Sequence, residues 1–285
     1  MNYDKLNELK KTINQNSLRF TALYVVGGFL IIIPLLLSFY LIAVIGVIAV
    51  IIGAVIQKDV KSKNILFEEY YLNEEVLPFL SKNFSNATYD KEGQIYFDYY
   101  QTYKILKLPN YYGSKNLITL NYKGINLNIA DVNFSSYDDT IKRPIFNPVV
   151  KGKIITALLP NQVDYDLALI NRKFVQSSLY KDIKFNELIL SKQGLFSTNI
   201  KNVNASLDER FLDVINEIIE YTREIEFVIT NHTFTLLFND GQNSFDLPAG
   251  MKYDDNITNK FTRDIELFAK LYSFISENDN EWLYL

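Results

Sequence analysis

No cysteine occurs among the 285 residues, so disulfides, thiolate nucleophiles and cysteine-based zinc sites are excluded. His232 is the lone histidine, which excludes metal centres needing two imidazoles. Glycine is sparse, at 11 residues; no glycine-rich phosphate loop occurs, and Ser177 and Ser178 lack the Gly-x-Ser-x-Gly elbow of a serine nucleophile. Nothing in the sequence calls for a cofactor.

Charge is also missing from one long stretch. From Thr21 to Ile56 the chain runs 36 residues without Asp, Glu, Lys or Arg. As a straight helix this run would measure about 54 Å against a hydrocarbon core of about 30 Å. Two spans of about 18 residues fit that thickness better. Lys5, Lys10, Lys11 and Arg19 precede the run, and Lys58, Lys61 and Lys63 follow it. Both flanks therefore carry the Lys/Arg excess of a cytoplasmic side, which requires an even number of crossings.

The expectation is a transmembrane hairpin, Phe20 to Leu37 and Leu41 to Gln57, with an outer turn near Ser38, Phe39 and Tyr40. Gly27 and Gly28 on the first span, with Ala43, Gly46, Ala49 and Gly53 on the second, would admit close backbone approach. Pro34 is tolerable within a span whose neighbours satisfy the freed carbonyl. The run far exceeds the h-region of a cleaved signal peptide, about 7 to 15 residues. One tilted or kinked span is the competing topology and would place the C-terminal part outside. With no intramembrane ionisable residue, the hairpin reads as an anchor rather than a pathway.

Residues 1–63 hold seven Lys/Arg against three Asp/Glu, and residues 64–285 hold 22 against 30. An acidic C-terminal part is poorly suited to gripping nucleic-acid phosphates and is repelled by anionic headgroups, so it should project away from the bilayer.

Within that part, residues 58–83 read as a juxtamembrane helix interrupted by Pro78. "NLITLNYKGINLNIADVNF" reads as two strands around Lys123-Gly124, and "KGKIITALLP" as another. Ser206 and Glu209 form a capping box ahead of an apolar face of Leu207, Phe211, Leu212, Ile215, Ile218 and Ile219. A three-stranded meander follows, with turns at Asn231-His232 and Asp240-Gly241. Phe261, Ile265, Phe268, Tyr272 and Ile275 mark a last amphipathic helix. The expected class is α+β, mostly antiparallel. Its expected division is a cytosolic segment 1–19, a hairpin 20–57, a juxtamembrane helix 58–83 and a soluble domain 84–285.

This order of elements, from the paired spans through "KFNELILSKQGLFSTNIKNVNASLDERFLDVINEI" and "IEFVITNHTFTLLF" to the final helix, resembles the bacterial membrane-protein family termed domain of unknown function 3137. The resemblance implies paired N-terminal spans and an α/β domain, and no catalytic residues.

Asp164-Tyr165-Asp166 has the D-x-D form that can bring two carboxylates to one divalent cation. Solvated loop carboxylates are the simpler account, because hard cations need several more oxygens. Asp138-Asp139 and Asp254-Asp255 read as turn residues. His232 would suit a general base, but no orienting group lies nearby in sequence, and an exposed turn position explains it. The Asn-x-Ser/Thr triplets at Asn83, Asn133 and Asn204 matter only in a secretory lumen. Lys142, Arg143, Lys151 and Lys153, and separately Arg172, Lys173, Lys181 and Lys184, could form basic patches or an ordinary solvated face.

The sequence thus points to a multi-pass plasma-membrane protein with both termini cytoplasmic. Its hairpin, marked by Phe20, Gly27, Gly28, Pro34, Tyr40, Gly46 and Gly53, would anchor a cytosolic binding, regulatory or scaffold module. The expected partners are the lipid bilayer and a protein or a second copy, not nucleic acid. A metal-dependent enzyme acting on a lipid-linked or phosphorylated substrate through Asp164 and Asp166 is the alternative. A channel or transporter subunit would need oligomerisation.

Overall fold

The structure, a computed structural model, describes residues 3–95, 111–138, 145–162, 167–171, 193–197, 209–222, 225–230, 232–245 and 256–277. The chain divides between Phe79 and Leu80 into two units.

The first unit is built on α1 (Tyr3–Leu36) and α2 (Tyr40–Tyr71). At about 51 and 48 Å for a 1.5 Å rise, each is longer than a hydrocarbon core is thick and extends past its share of the uncharged run into charged sequence. They lie antiparallel, tied side to side by Tyr24, whose hydroxyl donates to Gln57 Oε1 at 2.7 Å. Leu6, Ile13, Gly27 and Pro34 are buried and Phe20 is half-buried, all seven residues apart; on α2, Gly46, Gly53 and Val60 keep the same spacing and are buried. A strict seven-residue repeat is the seam of a left-handed pair of helices.

Between the helices the turn is a Schellman cap. Phe39 N–H donates to the Pro34 carbonyl at 2.7 Å and Ser38 N–H to that of Leu35 at 3.3 Å. Ser38 adopts the left-handed φ of 63° that this cap demands, a conformation usually given to glycine.

At the other end α2 continues past Gln57 without a break, because no glycine or proline intervenes between Gly53 and Pro78. The juxtamembrane helical segment expected over residues 58–83 begins as the continuation of α2, up to Tyr71. Only at Leu72–Val76 does it widen into a π turn, in which Leu77 N–H donates five residues back to the Leu72 carbonyl. The widening relieves the clash that Pro78 imposes on the turn before it. The short α3 (Leu77–Asn83) follows.

The second unit contains β1 (Ser85–Asp90), β2 (Tyr111–Tyr122), β3 (Ile125–Asp138), β4 (Ile145–Leu158), β5 (Leu167–Asn171), β6 (Gln193–Ser197), β7 (Ile225–Thr230) and β8 (Thr233–Phe238). Its helices are α4 (Glu209–Thr222) and α5 (Asn256–Glu277). The strands form one sheet in the order β1-β2-β3-β4-β8-β7-β5-β6, and every pair is antiparallel. The class is α+β, as the sequence leads one to expect.

Lys123 and Gly124 turn β2 into β3 with φ of 52° and 87°, the paired positive angles of a type I′ hairpin turn. The meander after α4 keeps only two of its three expected strands among the described residues. β8 has β7 on one side and β4 on the other, so no edge is left for a third. The chain instead turns at Gly241, whose φ is 77°. Ser206, the expected N-cap of α4, lies outside the described residues.

Helices α4 and α5 cover one face of the sheet. Phe211 meets Phe227 edge-on at 6.1 Å, and Phe234 packs on Phe268 at 4.9 Å. Full burial of each such ring contributes roughly 1.5–3 kcal/mol.

Candidate functional site: the hairpin base and a buried ion pair

The close approach of α1 and α2 centres on Gly27 and Gly46. A Cβ on Gly46 would stand 2.8 Å from the Gly27 carbonyl oxygen, and one on Gly27 would stand 2.9 Å from Val50 Cγ2. Gly53 is looser, with ordinary contacts of 3.4–3.5 Å to Leu23 and Tyr24, and Gly28 faces open space. Thus Gly27 and Gly46 meet at the helix crossing, and Gly28 takes no part in it. Tyr40 opens α2 and is exposed.

Around this seam the helices expose their apolar side chains: Leu36 is 79% and Leu41 85% exposed. Only 11% and 17% of the two most apolar windows are buried, opposite to the core helix of a soluble protein. Each helix is long and apolar enough to cross a membrane.

Where the uncharged run ends, a groove of about 510 Å³ opens along the hairpin. Phe20, Ala54 and Val60 line it with apolar surface, and Gln57, Lys58, Lys61 and Asn64 with polar groups. The nearby carboxylate is engaged elsewhere: Asp59 Oδ2 accepts from Lys63 Nζ at 2.8 Å and from Asn16 at 3.5 Å. Lys58 and Lys61, three residues apart, have no carboxylate partner among the described residues.

In the second unit a charge cluster is buried between sheet and helix. Lys153 on β4 pairs with Asp264 on α5, each 1% exposed. Asp131 on β3 is the register partner of Lys153, and its two oxygens accept from Ser244 N–H and Asn116 Nδ2, both at 2.7 Å. Burial raises both carboxyls above their ordinary range, and Lys153 opposes the rise in each. Asp264 Oδ1 is buried without a hydrogen-bond partner among the described residues. Nearby charge and burial also push the Tyr221 hydroxyl up to about 12, burial first and the Asp264 carboxylate second.

At the rim of this unit Lys260 bridges to Asp240 at 2.7 Å. Gly152 lets β4 approach β8: a Cβ there would fall 1.8 Å from the Phe238 carbonyl oxygen. A cleft of about 230 Å³ lies beside the β2–β3 turn, where Tyr272 donates to the Leu158 carbonyl at 2.7 Å.

Asp164 and Asp166 lie outside the described residues, as do Asp139, Asp254, Asp255, Ser177, Ser178, Asn204, Lys142, Arg143, Arg172, Lys173, Lys181 and Lys184. His232 is exposed in the β7–β8 turn, and its carbonyl accepts from Leu159 N–H at 2.6 Å. Asn83 ends α3 and Asn133 lies on β3. Lys153 belongs to no basic patch and no solvated face, because its ammonium is inside the fold on Asp264. The pair was missed in sequence although a trace of it is there: Asp264 interrupts the apolar stripe of Phe261, Ile265 and Phe268. Among the described residues no three acidic or histidine side chains gather as a metal site.

Neither a family model nor a curated protein matches the chain. Among solved structures, the crystal structure of the mycobacterial trehalose monomycolate transport factor A, TtfA, is similar at 12% identity and a TM-score of 0.38, over 70% of this chain and 94% of that one. A likeness so distant carries no argument about this chain.

Proposed function

We propose that the chain is a membrane-anchored binding, regulatory or scaffold module. The α1–α2 hairpin crosses the plasma membrane twice and holds the α+β unit on the cytoplasmic side, with both termini there. The observation that carries this reading is the exposed apolar surface of two helices closed on each other by the Gly27–Gly46 crossing. Such a surface is costly in water and at rest in lipid. The basic residues at the open end of the hairpin support the inward orientation, and the acidic C-terminal part supports its standing clear of anionic headgroups. The proposal extends to membership of the paired-span family that the order of elements resembles, and to a protein partner or second copy as what the α+β unit binds.

The absence of native cysteine makes the test direct. Ser38→Cys at the hairpin turn should react with a membrane-impermeant maleimide in intact cells, and His232→Cys, in an exposed turn of the α+β unit, only after permeabilisation. Labelling of His232→Cys in intact cells would refute the topology. Affinity capture from solubilised membranes tests the module: reproducible recovery of the chain alone, without partner or self-association, counts against it.

A further inference from the structure

We infer that the groove at the hairpin base seats the headgroup phosphate of an anionic phospholipid from the surrounding leaflet. The inference rests on the anchored reading and adds a specific ligand site to it. Phe20, Ala54 and Val60 give the groove apolar surface, while Lys58, Lys61 and Asn64 supply donors. From Ala54 to Lys61 the helix rises about 10 Å, so one lipid can lay its acyl chain against the ring and methyl and its phosphate against the ammonium groups. Gln57 is oriented to join them, because Tyr24 occupies its carbonyl oxygen and leaves the amide nitrogen to donate.

Charge supplies the selectivity. Lys63 is neutralised by Asp59 at 2.8 Å, whereas Lys58 and Lys61 line the groove with no carboxylate partner among the described residues. Two ammonium groups on one phosphate oxygen cluster form charge-assisted hydrogen bonds, and an anionic lipid retains a net charge that a zwitterionic one lacks. Ordinary topological lysines attract the leaflet diffusely; here two of them border one groove that also holds apolar surface.

The experiment is native mass spectrometry of the full chain released from nanodiscs of equimolar phosphatidylglycerol and phosphatidylcholine. Resistance to alkaline carbonate extraction is checked first on cell membranes. Wild type should retain phosphatidylglycerol preferentially. Lys58→Gln with Lys61→Gln should reduce that preference about 30-fold, from about fivefold for each lysine near an anionic surface. Lys58→Arg with Lys61→Arg should keep it, and so should the charge-matched Lys11→Gln with Lys63→Gln. Equal retention of the two lipids by wild type, or equal losses in the two glutamine variants, would overturn the site while leaving the anchor intact. Extraction by carbonate would overturn the anchor itself.

Discussion

Removing the Asp264 carboxylate should be among the most damaging single changes in the α+β unit. In Asp264→Ala the Lys153 ammonium remains 1% exposed with its direct counterion gone, and breaking a buried pair from one side costs about 3–5 kcal/mol. Asp131 stands opposite Lys153 in the sheet register and still attracts it, which argues for about 3 kcal/mol. At roughly 2–4 °C per kcal/mol for a unit of this size, the melting temperature should fall by about 6–12 °C. Lys153→Met with Asp264→Leu removes both charges and fills the space, and should melt near wild type or above it.

The assay is thermal unfolding of the full chain in detergent, followed by hydrogen exchange of α5 to assign the loss to the element that carries Asp264. A single variant within about 1 kcal/mol of wild type, or a double variant as unstable as Asp264→Ala, would refute the reasoning. The same pair sets a pH signature. Burial raises the Asp264 carboxyl above 3.8 in the folded chain, against the pull of Lys153. A raised folded value means the folded state holds the proton more tightly, so this group's contribution is present at low pH and is lost as pH rises through the folded value. The stability of wild type relative to Asp264→Asn should accordingly decline from about pH 4 upward. Asp131 carries the same sign, and Glu217, held low by Lys270, the opposite one.

Two further perturbations test the close approaches. Gly46→Ala should separate α1 from α2, because its Cβ meets backbone atoms at 2.8 Å; Gly28→Ala, facing open space, should leave the pairing intact and favour the helix by up to about 1 kcal/mol. Spin labels at Tyr24→Cys and Gln57→Cys would report a longer distance in the first variant alone. Gly152→Ala should loosen β4 from β8, since overpacking by a methyl against the Phe238 carbonyl costs about 1–3 kcal/mol or more; a lower melting temperature with faster exchange of β8 amides is expected, and an unchanged exchange pattern would contradict the contact.

Much of the architecture is local and was therefore readable in the residues. The uncharged run, the Lys123-Gly124 turn and the apolar face of α4 each depend on neighbours within a few positions, where periodicity and φ preferences act directly. The seven-residue seam of the hairpin was equally present in the letters, from Leu6 to Pro34, but its members differ so much in size that hydrophobicity alone does not mark them. Of the site, the glycine crossing was legible as small residues on both spans. Which of them meet was not: Gly27 and Gly28 are adjacent in sequence, and the rotation of one helix against the other decides that the first is pressed on Gly46 and the second is free.

By itself, the sequence determined that two long apolar helices come first, that an α+β unit follows them, and that thiol chemistry is closed to this protein. Tertiary structure alone decided that Lys153 lies inside rather than on the surface, that β8 has no room for a third meander strand, and that Lys58 and Lys61 border a groove with Phe20 of the other helix. The physical reason is range. Propensity and patterning act over a turn or a strand, whereas the partner of a charge is set by which distant segment the packing brings against it, 111 residues away in the case of Lys153 and Asp264.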